Sequence, residues 1–511
     1  MSLESTSLLC HLPSELYDHI LDQVPEQYLQ RTAFALRLAL PRAPIAQYHL
    51  FTCVLLTRAE QVIQLSRRLR EVPEYYSQST YFSLETWTVD ADAAINLIRT
   101  LPRLKSLTLF IGPNWAPEHL EQLLEKPIEG LKNVSLRFRP YVQKATYYQF
   151  LKGAYFDSTV ITLSQWPPSG LPSLSIVQDP LDPSIAPVQK FAQPLVFFRL
   201  DPFSCMSISP YAQDIEHFRL RIPSRQIARF LYTQPGAFPR LTLLDLSTCN
   251  VAESDVEQLL GRLVGLKHLI ADNCSLLRGE GDWAAFGKTC ALAGVKRARE
   301  REKKLKAHLE LVHAQQTAQA RGIAVQDAVL RVDQSSSRSR RGRRGIANST
   351  ITLRERQREI AVALNPLLAT PGGPGETPTQ VQRVRILPPL PTIRTLSTTI
   401  AHFVEDSEED IREDFERGWG EGLLQLSAVR GRLRTSYHNG LRVVRFSEDG
   451  EVSEEGFDGL EDLENGESEF KVERVGEGDC PVLCVAGPGR KGKHVEGCGH
   501  RAAWSVWEDE L

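Results

Sequence analysis

One leucine pattern recurs along this chain and constrains the fold more than any bulk property. Leu101-Pro-Arg-Leu104-Lys-Ser-Leu107-Thr-Leu109 has the form Leu-x-x-Leu-x-x-Leu-x-Leu. Ile128-Glu-Gly-Leu131-Lys-Asn-Val134-Ser-Leu136 repeats it with substitutions. Phe238-Pro-Arg-Leu241-Thr-Leu-Leu244-Asp-Leu246 repeats it again and ends on Cys249-Asn250. Leu263-Val-Gly-Leu266-Lys-His-Leu269 follows and ends on Asn273-Cys274. The spacings from Leu104 to Leu131 and from Leu241 to Leu266 fall within a repeat period of about 20–29 residues. Between the leucine cores lie helical patterns, Pro117 to Leu124 and Glu253 to Leu260. Each unit therefore reads strand, turn, helix. One such unit cannot bury its apolar side, but stacked units can.

These residues resemble the leucine-rich-repeat superfamily, and the unit ending in Cys249-Asn250 is the clearest match. The resemblance implies an irregular solenoid over residues 75–295, with a parallel sheet on its concave face. The fold class expected is α/β. Residues 137–214 carry Trp166-Pro167-Pro168, Pro180, Pro183 and Pro187 and no clean repeat, so they read as degraded units with long insertions. Ile215 to Ile222 reads as one more strand unit. An ordinary α/β domain with Leu-rich strands is the alternative. Aromatic and Arg residues on the strands are first guesses for target contacts, among them Arg137, Phe138, Arg139, Arg219 and Arg221. For each one alone, a solvated strand face is the plainer reading.

The N-terminal stretch, residues 8–72, has a different pattern. Leu16, Ile20, Leu21 and Val24 recur at helical spacing behind Pro13, which suits a helix start. Leu29, Ala33, Leu36 and Leu40 form a second stripe, stopped by Pro41 and Pro44. Phe51 to Leu56 is a short β-prone run, and Thr57-Arg58-Ala59-Glu60 has the form of a capping box. Two short amphipathic helices cannot bury all their apolar surface in so small a unit, so some is expected to face a partner.

Leu12-Pro13-Ser14-Glu15-Leu16, then Ile20-Leu21, Val24-Pro25 and Leu29, resemble the opening of an F-box, over roughly a tenth of the chain. The stretch departs from that pattern in having no Trp before Trp87. The resemblance implies a small helical module that binds the Skp adaptor of cullin-based ubiquitin ligases. Its contact residues would include Leu12, Pro13, Leu16, Ile20, Leu21 and Leu29. Without the resemblance, the same residues read as the first helices of a larger domain.

Residues 296–398 are expected to be a basic, low-complexity linker, largely disordered. It opens on the dense run Lys296 to Lys306 and carries Ser335-Ser-Ser-Arg338-Ser-Arg340-Arg341-Gly-Arg343-Arg344. A solvated linker is the first reading of that Arg cluster and a nuclear import signal the second. Nucleic-acid binding comes last, because no aromatic residue is interleaved to stack on bases. Residues 399–511 are expected to form an acidic, partly ordered C-terminal segment, with Leu441 to Phe446 and Phe470 to Val475 as short strands.

The chain has 511 residues, 42% of them apolar, and a net charge of −3, which points to no particular partner. Its length allows two to four folded units. Met1-Ser2-Leu3-Glu4 does not open a secretory signal, and no run suits a membrane span. The nine scattered cysteines suit a reduced compartment, so a cytoplasmic or nuclear location without membrane contact is expected.

Signals for chemistry are weak. Gly487-Pro-Gly489-Arg-Lys-Gly492-Lys493 lacks the order of a phosphate loop, and Gly418-Trp-Gly420-Glu-Gly422 lacks the context of a dinucleotide fingerprint. No Gly-x-Ser-x-Gly and no His-Glu-x-x-His occur. No catalytic, cofactor or metal residue is assigned. Cys480, Cys484, His494, Cys498 and His500 could supply a closed zinc site, but Cys498-Gly-His500 is tight, and scattered thiols are the preferred reading. The expectation is a non-enzymatic adaptor. Its N-terminal helices would hold a Skp-type adaptor and its repeats a target protein. A stand-alone leucine-rich scaffold and a nuclear, nucleic-acid-associated protein are the alternatives.

Overall fold

Ten short runs become the strands of one sheet, and every pair in it is parallel. The computed structural model describes residues 12–112, 114–138, 155–168, 170–179, 206–234, 236–274, 276, 282–320, 384–400, 407–446, 460–463, 470, 480–489, 493–507 and 509. Two compact units divide the chain: residues 1–290, 391–420 and 476–511 form the first, and 291–390 and 421–475 the second.

The first unit opens with α1 (Ser14–Asp22), α2 (Glu26–Ala39) and α3 (His49–Thr52). It continues with β1 (Cys53–Leu56), α4 (Ala59–Glu71), β2 (Tyr81–Leu84), α5 (Ala91–Arg99), β3 (Ser106–Ile111), α6 (Pro117–Leu124) and β4 (Asn133–Phe138). Then come α7 (Tyr155–Ser164), β5 (Ser173–Gln178), β6 (His217–Arg221), α8 (Ala228–Tyr232), β7 (Leu243–Asp245), α9 (Glu253–Arg262) and β8 (His268–Ala271). Helix α10 (Trp283–Ala320) follows, then β9 (Val384–Ile386), β10 (Thr395–Thr398), α11 (Glu408–His438), β11 (Arg442–Phe446), β12 (Leu460–Asp462), β13 (Val482–Cys484) and α12 (Gly499–Trp507).

Strands β1 to β8 lie side by side in chain order, and β10 and β13 extend the row. Parallel neighbours need a return segment, and helices supply most of them. These helices stack in turn, α4 on α5, α5 on α6, α6 on α7, and α8 on α9. In-register pairing lines up one residue per strand on the apolar face: Val54, Phe82, Leu107, Val134, Leu174, Phe218, Leu244, Leu269, Leu396 and Leu483. All ten are buried. Each such side chain contributes about 1.5–3 kcal/mol by leaving water. The opposite face is mostly polar. Its matching row runs Leu55, Ser83, Thr108, Ser135, Ser175, Arg219, Asp245, Ile270, Ser397 and Cys484.

The cysteines that end two repeats tie successive units together. The Cys249 thiol donates to the Leu220 carbonyl at 3.2 Å and accepts from the Ile222 N–H at 3.3 Å. Cys274 donates to the Leu246 carbonyl at 3.4 Å. Burial pushes the Cys249 thiol up to about 12, so it stays a neutral bridge.

At the N-terminus, Tyr17, Leu21, Leu29, Ala33, Leu40 and Ile45 form a small core with Cys53 of β1, so α1 to α3 close onto the first strand. The cap of α4 differs from the expected box by one residue. The Gln61 side chain, not Glu60, accepts from the Thr57 and Arg58 N–H groups, at 2.8 and 2.9 Å. Thr57 lies too far ahead of the first helical residue to be the cap.

The basic run Lys296 to Lys306, which opens the segment read as a linker and runs on into a helical pattern around Leu305, Leu309 and Val312, lies within α10. Strands β10 and β13 come from stretches read as linker and tail, yet they complete the sheet of the first unit. The Arg338–Arg344 cluster lies outside the described residues, as does Arg139.

In the second unit, β9, β11 and β12 form a small sheet whose core includes Leu387, Val443, Leu463 and Phe470. Of the two strands expected there, Arg442–Phe446 is formed, and of Phe470 to Val475 only Phe470 is described. Glu302 of α10 accepts from the Ile386 N–H at 2.9 Å, pinning β9.

Candidate functional site

Helix α1 turns Tyr17 and Leu21 into the core and leaves Leu16 and Ile20, four residues apart, 45% and 47% exposed. Helix α2 does the same: Leu29 and Ala33 are inside, while Phe34 and Leu38 are 55% and 67% exposed. The six residues expected to meet a partner thus separate. Leu16, Ile20 and Pro13 are on the surface, and Leu12 is half-buried against the core. Leu21 and Leu29 belong to the core of the chain itself and present no surface to a partner. Within the chain both pack: Leu21 is 0% and Leu29 8% exposed.

The polar face of β1 to β5 is open and forms the floor of a cavity of about 800 Å³. Thr108, Phe110, Ser135, Arg137 and Val177 line it from the strands. Tyr28, Arg31 and Phe34 of α2, and Gln61, Gln64 and Arg68 of α4, supply walls, and Trp507 and Asp509 bound it near the C-terminus. Arg137 is held rigid there. Its Nε donates to Asp179 at 2.6 Å, and its guanidinium lies 5.1 Å from the Phe110 ring centre.

Over β7, β8 and β10 the same face is covered by α12. Ala503 and Trp507 pack on Leu243 and Ile270, which explains why these two apolar residues stand on the polar face. Arg219 is buried beneath the end of α12. Its Nε donates to Ser175 Oγ at 2.7 Å, its Nη groups bind the Asp509 carboxylate, and Trp507 stacks at 4.5 Å. Arg221 is buried with Asp245, Nη2 to Oδ2 at 2.6 Å. Of the guessed target contacts among the described residues, Arg137 alone lines the cavity. Phe138 is corrected to the core, since it shares strand parity with Val134 and Leu136. Arg219 and Arg221 are corrected to buried struts.

The Asp245 carboxyl would be raised by burial, but the Arg221 charge and hydrogen bonds hold it below the usual range. His217 and His268, on the same face, are pushed down by burial.

At the far edge of the sheet, the structure does not leave the thiols scattered. Cys484 ends β13, Cys498 immediately precedes α12, His500 lies in its first turn, and His494 sits between the strand and the helix. One donor atom from each lies within 4.8 Å of all the others. Cys480 is outside the group. Asp272, just after β8, accepts from His500 Nε2 at 2.8 Å, and the Gly489 carbonyl accepts from His494 Nε2 at 2.6 Å. The tight Cys498-Gly-His500 spacing works because residue 499 is glycine. A Cβ there would come within 2.9 Å of Ser397 Oγ and Thr395 Oγ1. The Cys498 thiol is pulled down to about 6, first by its hydrogen bond with Cys484. Sequence reading missed Asp272, which is remote in the chain and reaches His500 only through the sheet.

Among the described residues, no helix is long and apolar enough to cross a membrane. Compared with known proteins, the chain matches no protein-family model and no curated sequence.

Proposed function

We propose that this chain is a non-catalytic substrate-recognition adaptor of a cullin-type ubiquitin ligase, built as an F-box-like module on a leucine-rich-repeat-type solenoid. The observation that carries the reading is the exposure of Leu16 and Ile20 on a helix whose other apolar residues are buried. Covering such a side chain yields about 1.5–3 kcal/mol, so this stripe gives a Skp-type adaptor a firm hold. The in-order parallel row of strands supports the solenoid. The open polar face of β1 to β5 supports a target seat, with Arg137 and Phe110 as a rigid cation–aromatic pair in its floor. Ubiquitin transfer would then gain from proximity alone, with the chemistry on other subunits.

A second reading, a scaffold without a ligase role, draws on the packing of α2 and α3 against β1, which makes the N-terminal helices a cap. That reading also requires Leu16 and Ile20 to be buried, and they are not.

Co-expression with a Skp adaptor separates the two. The intact chain should co-purify with it, and the L16D/I20D variant should lose it while keeping its circular dichroism and unfolding midpoint. Retention of the adaptor by a folded L16D/I20D chain would remove the F-box reading. A folded intact chain that never binds the adaptor would leave the scaffold.

A further inference from the structure

We propose that Cys484, His494, Cys498 and His500 bind one zinc ion, which fastens the start of α12 to the last strand of the sheet. The inference is independent of the adaptor reading, since it concerns the opposite edge of the sheet and different residues.

Four arguments carry it. The first is distance. Cys484 Sγ lies 3.7 Å from His494 Nδ1, Cys498 Sγ lies 3.9 Å from His494 Nδ1, and Cys498 Sγ lies 3.9 Å from His500 Nδ1. Zinc–sulfur and zinc–nitrogen bonds of ordinary length in a tetrahedron place neighbouring donors about 3.3–3.8 Å apart. These three pairs need to close by only a few tenths of an ångström, and the widest pair of the four, within 4.8 Å, by about 1 Å.

The second is orientation. Both imidazoles turn Nδ1 into the cluster and commit Nε2 outward, His500 to Asp272 and His494 to the Gly489 carbonyl. A metal-bound histidine needs its second nitrogen fixed in this way, so that the ligating nitrogen keeps its lone pair toward the ion. Asp272 is itself fully buried and accepts from Thr399 Oγ1 at 3.1 Å, so the orienting group is held too.

The third is ligand chemistry. Two thiolates and two imidazoles suit zinc over the hard cations, which prefer oxygen. Four protein ligands leave no open position, which marks a structural site rather than a catalytic one. In the bound form both sulfurs are thiolates and both imidazoles are neutral, with the proton of each on Nε2.

The fourth is the surrounding fold. The described residues of the connection, 487–489 and 493–497, belong to no strand or helix, and Gly487, Gly489 and Gly497 have positive φ. Of these residues only Gly487 is buried. Metal bonds at His494 and Cys498 would give them a defined path. Through α12 the same bonds set Trp507 over Arg219 and so fix where the open cavity stops.

The test uses the full chain purified under reducing conditions without chelator. Metal analysis should find one zinc per chain. Exchange for cobalt(II) should give the intense visible absorption of a tetrahedral centre with two thiolates. The C498S and H494A variants should lose both signals, and C480S should keep them. D272N should keep the ligands but weaken zinc affinity by about 10–100-fold in a competition with a chromogenic chelator. A chain without zinc that gives no tetrahedral cobalt spectrum, or a C498S chain that retains stoichiometric zinc, would overturn the proposal. So would a Cys484–Cys498 disulfide found by mass spectrometry in the reduced preparation. If C498S does not fold, the cobalt spectrum of the intact chain decides alone.

Discussion

Arg221 and Asp245 are both buried, yet both remain charged because each is the other's partner. Breaking such a pair from one side leaves a bare buried charge and costs about 3–5 kcal/mol. Asp245→Ala should therefore lower stability by that order in urea unfolding, and more than Arg240→Ala, whose ion pair with Asp214 sits in an exposed position and is worth little. The same pair sets a pH dependence. A carboxyl held low in the folded state contributes stability that is present above its unfolded pKa, about 3.9, and is lost as pH falls through the folded value. His217 and His268 act in the same direction, since burial lowers both. Their contribution begins to fall below about pH 6.5, the unfolded value. The unfolding midpoint should drop in two stages on acidification, and Asp245→Asn should weaken the lower stage, to which Asp462, held low by Arg442, also contributes. A midpoint flat from pH 7 to 3 would contradict both assignments. At this scale the sequence misled in a specific way. Arg219 and Arg221 look like contact residues because nothing local shows that α12, nearly three hundred residues on, folds over Arg219.

Gly418 and Gly420 show what an element requires of single positions. The sequence offered them as a poor dinucleotide fingerprint, and both lie inside α11. A Cβ on Gly418 would sit 1.8 Å from the Ala284 carbonyl oxygen, so glycine here lets α11 approach the start of α10, where Phe286, Phe415 and Trp419 pack. A Cβ on Gly420 would meet nothing within 4 Å. The two alanine variants should then move in opposite directions. Gly418→Ala should destabilise by about 1–3 kcal/mol or more through overpacking. Gly420→Ala should stabilise by about 0.5–1 kcal/mol, because alanine restricts the unfolded helix residue more than glycine does. Thermal unfolding of both would test this, and equal shifts of one sign would refute it. Legibility of elements followed the number of buried positions. Strands β3, β4, β7 and β8 each bury two or more leucines or close equivalents, and the leucine pattern marked all four. Strand β5 was hidden because prolines flank it. Strand β10 was hidden because its sequence, Thr395-Leu-Ser-Thr398, holds one apolar residue and owes its place to the hydrogen-bonding edges of β8 and β13.

The first unit is discontinuous in sequence, and this decides how the molecule can be cut. Its sheet runs through β8 from the N-terminal 290 residues and is finished by β10 and β13 from two later segments. A repeat reading of the sequence assigns the sheet to residues 75–295 and leaves open whether the C-terminal segment packs against it. In the structure the later chain supplies β10, β13 and α12 to this unit. Ending the chain at residue 290 would expose the hydrogen-bonding edge of β8, uncover Leu243 and Ile270, and take Asp509 away from buried Arg219. An open parallel edge flanked by apolar side chains is a template for association. The fragment 1–290 should therefore elute as oligomers or aggregate, and bind a hydrophobic dye, where the full chain does not. Adding back a separate 391–511 chain in trans should restore part of the solubility, because the missing strands and α12 are supplied by it. A monomeric 1–290 fragment that unfolds cooperatively at the midpoint of the full chain would show instead that the leucine-rich units carry their own cap, and that α12 and the strands beneath it were added to a fold already complete.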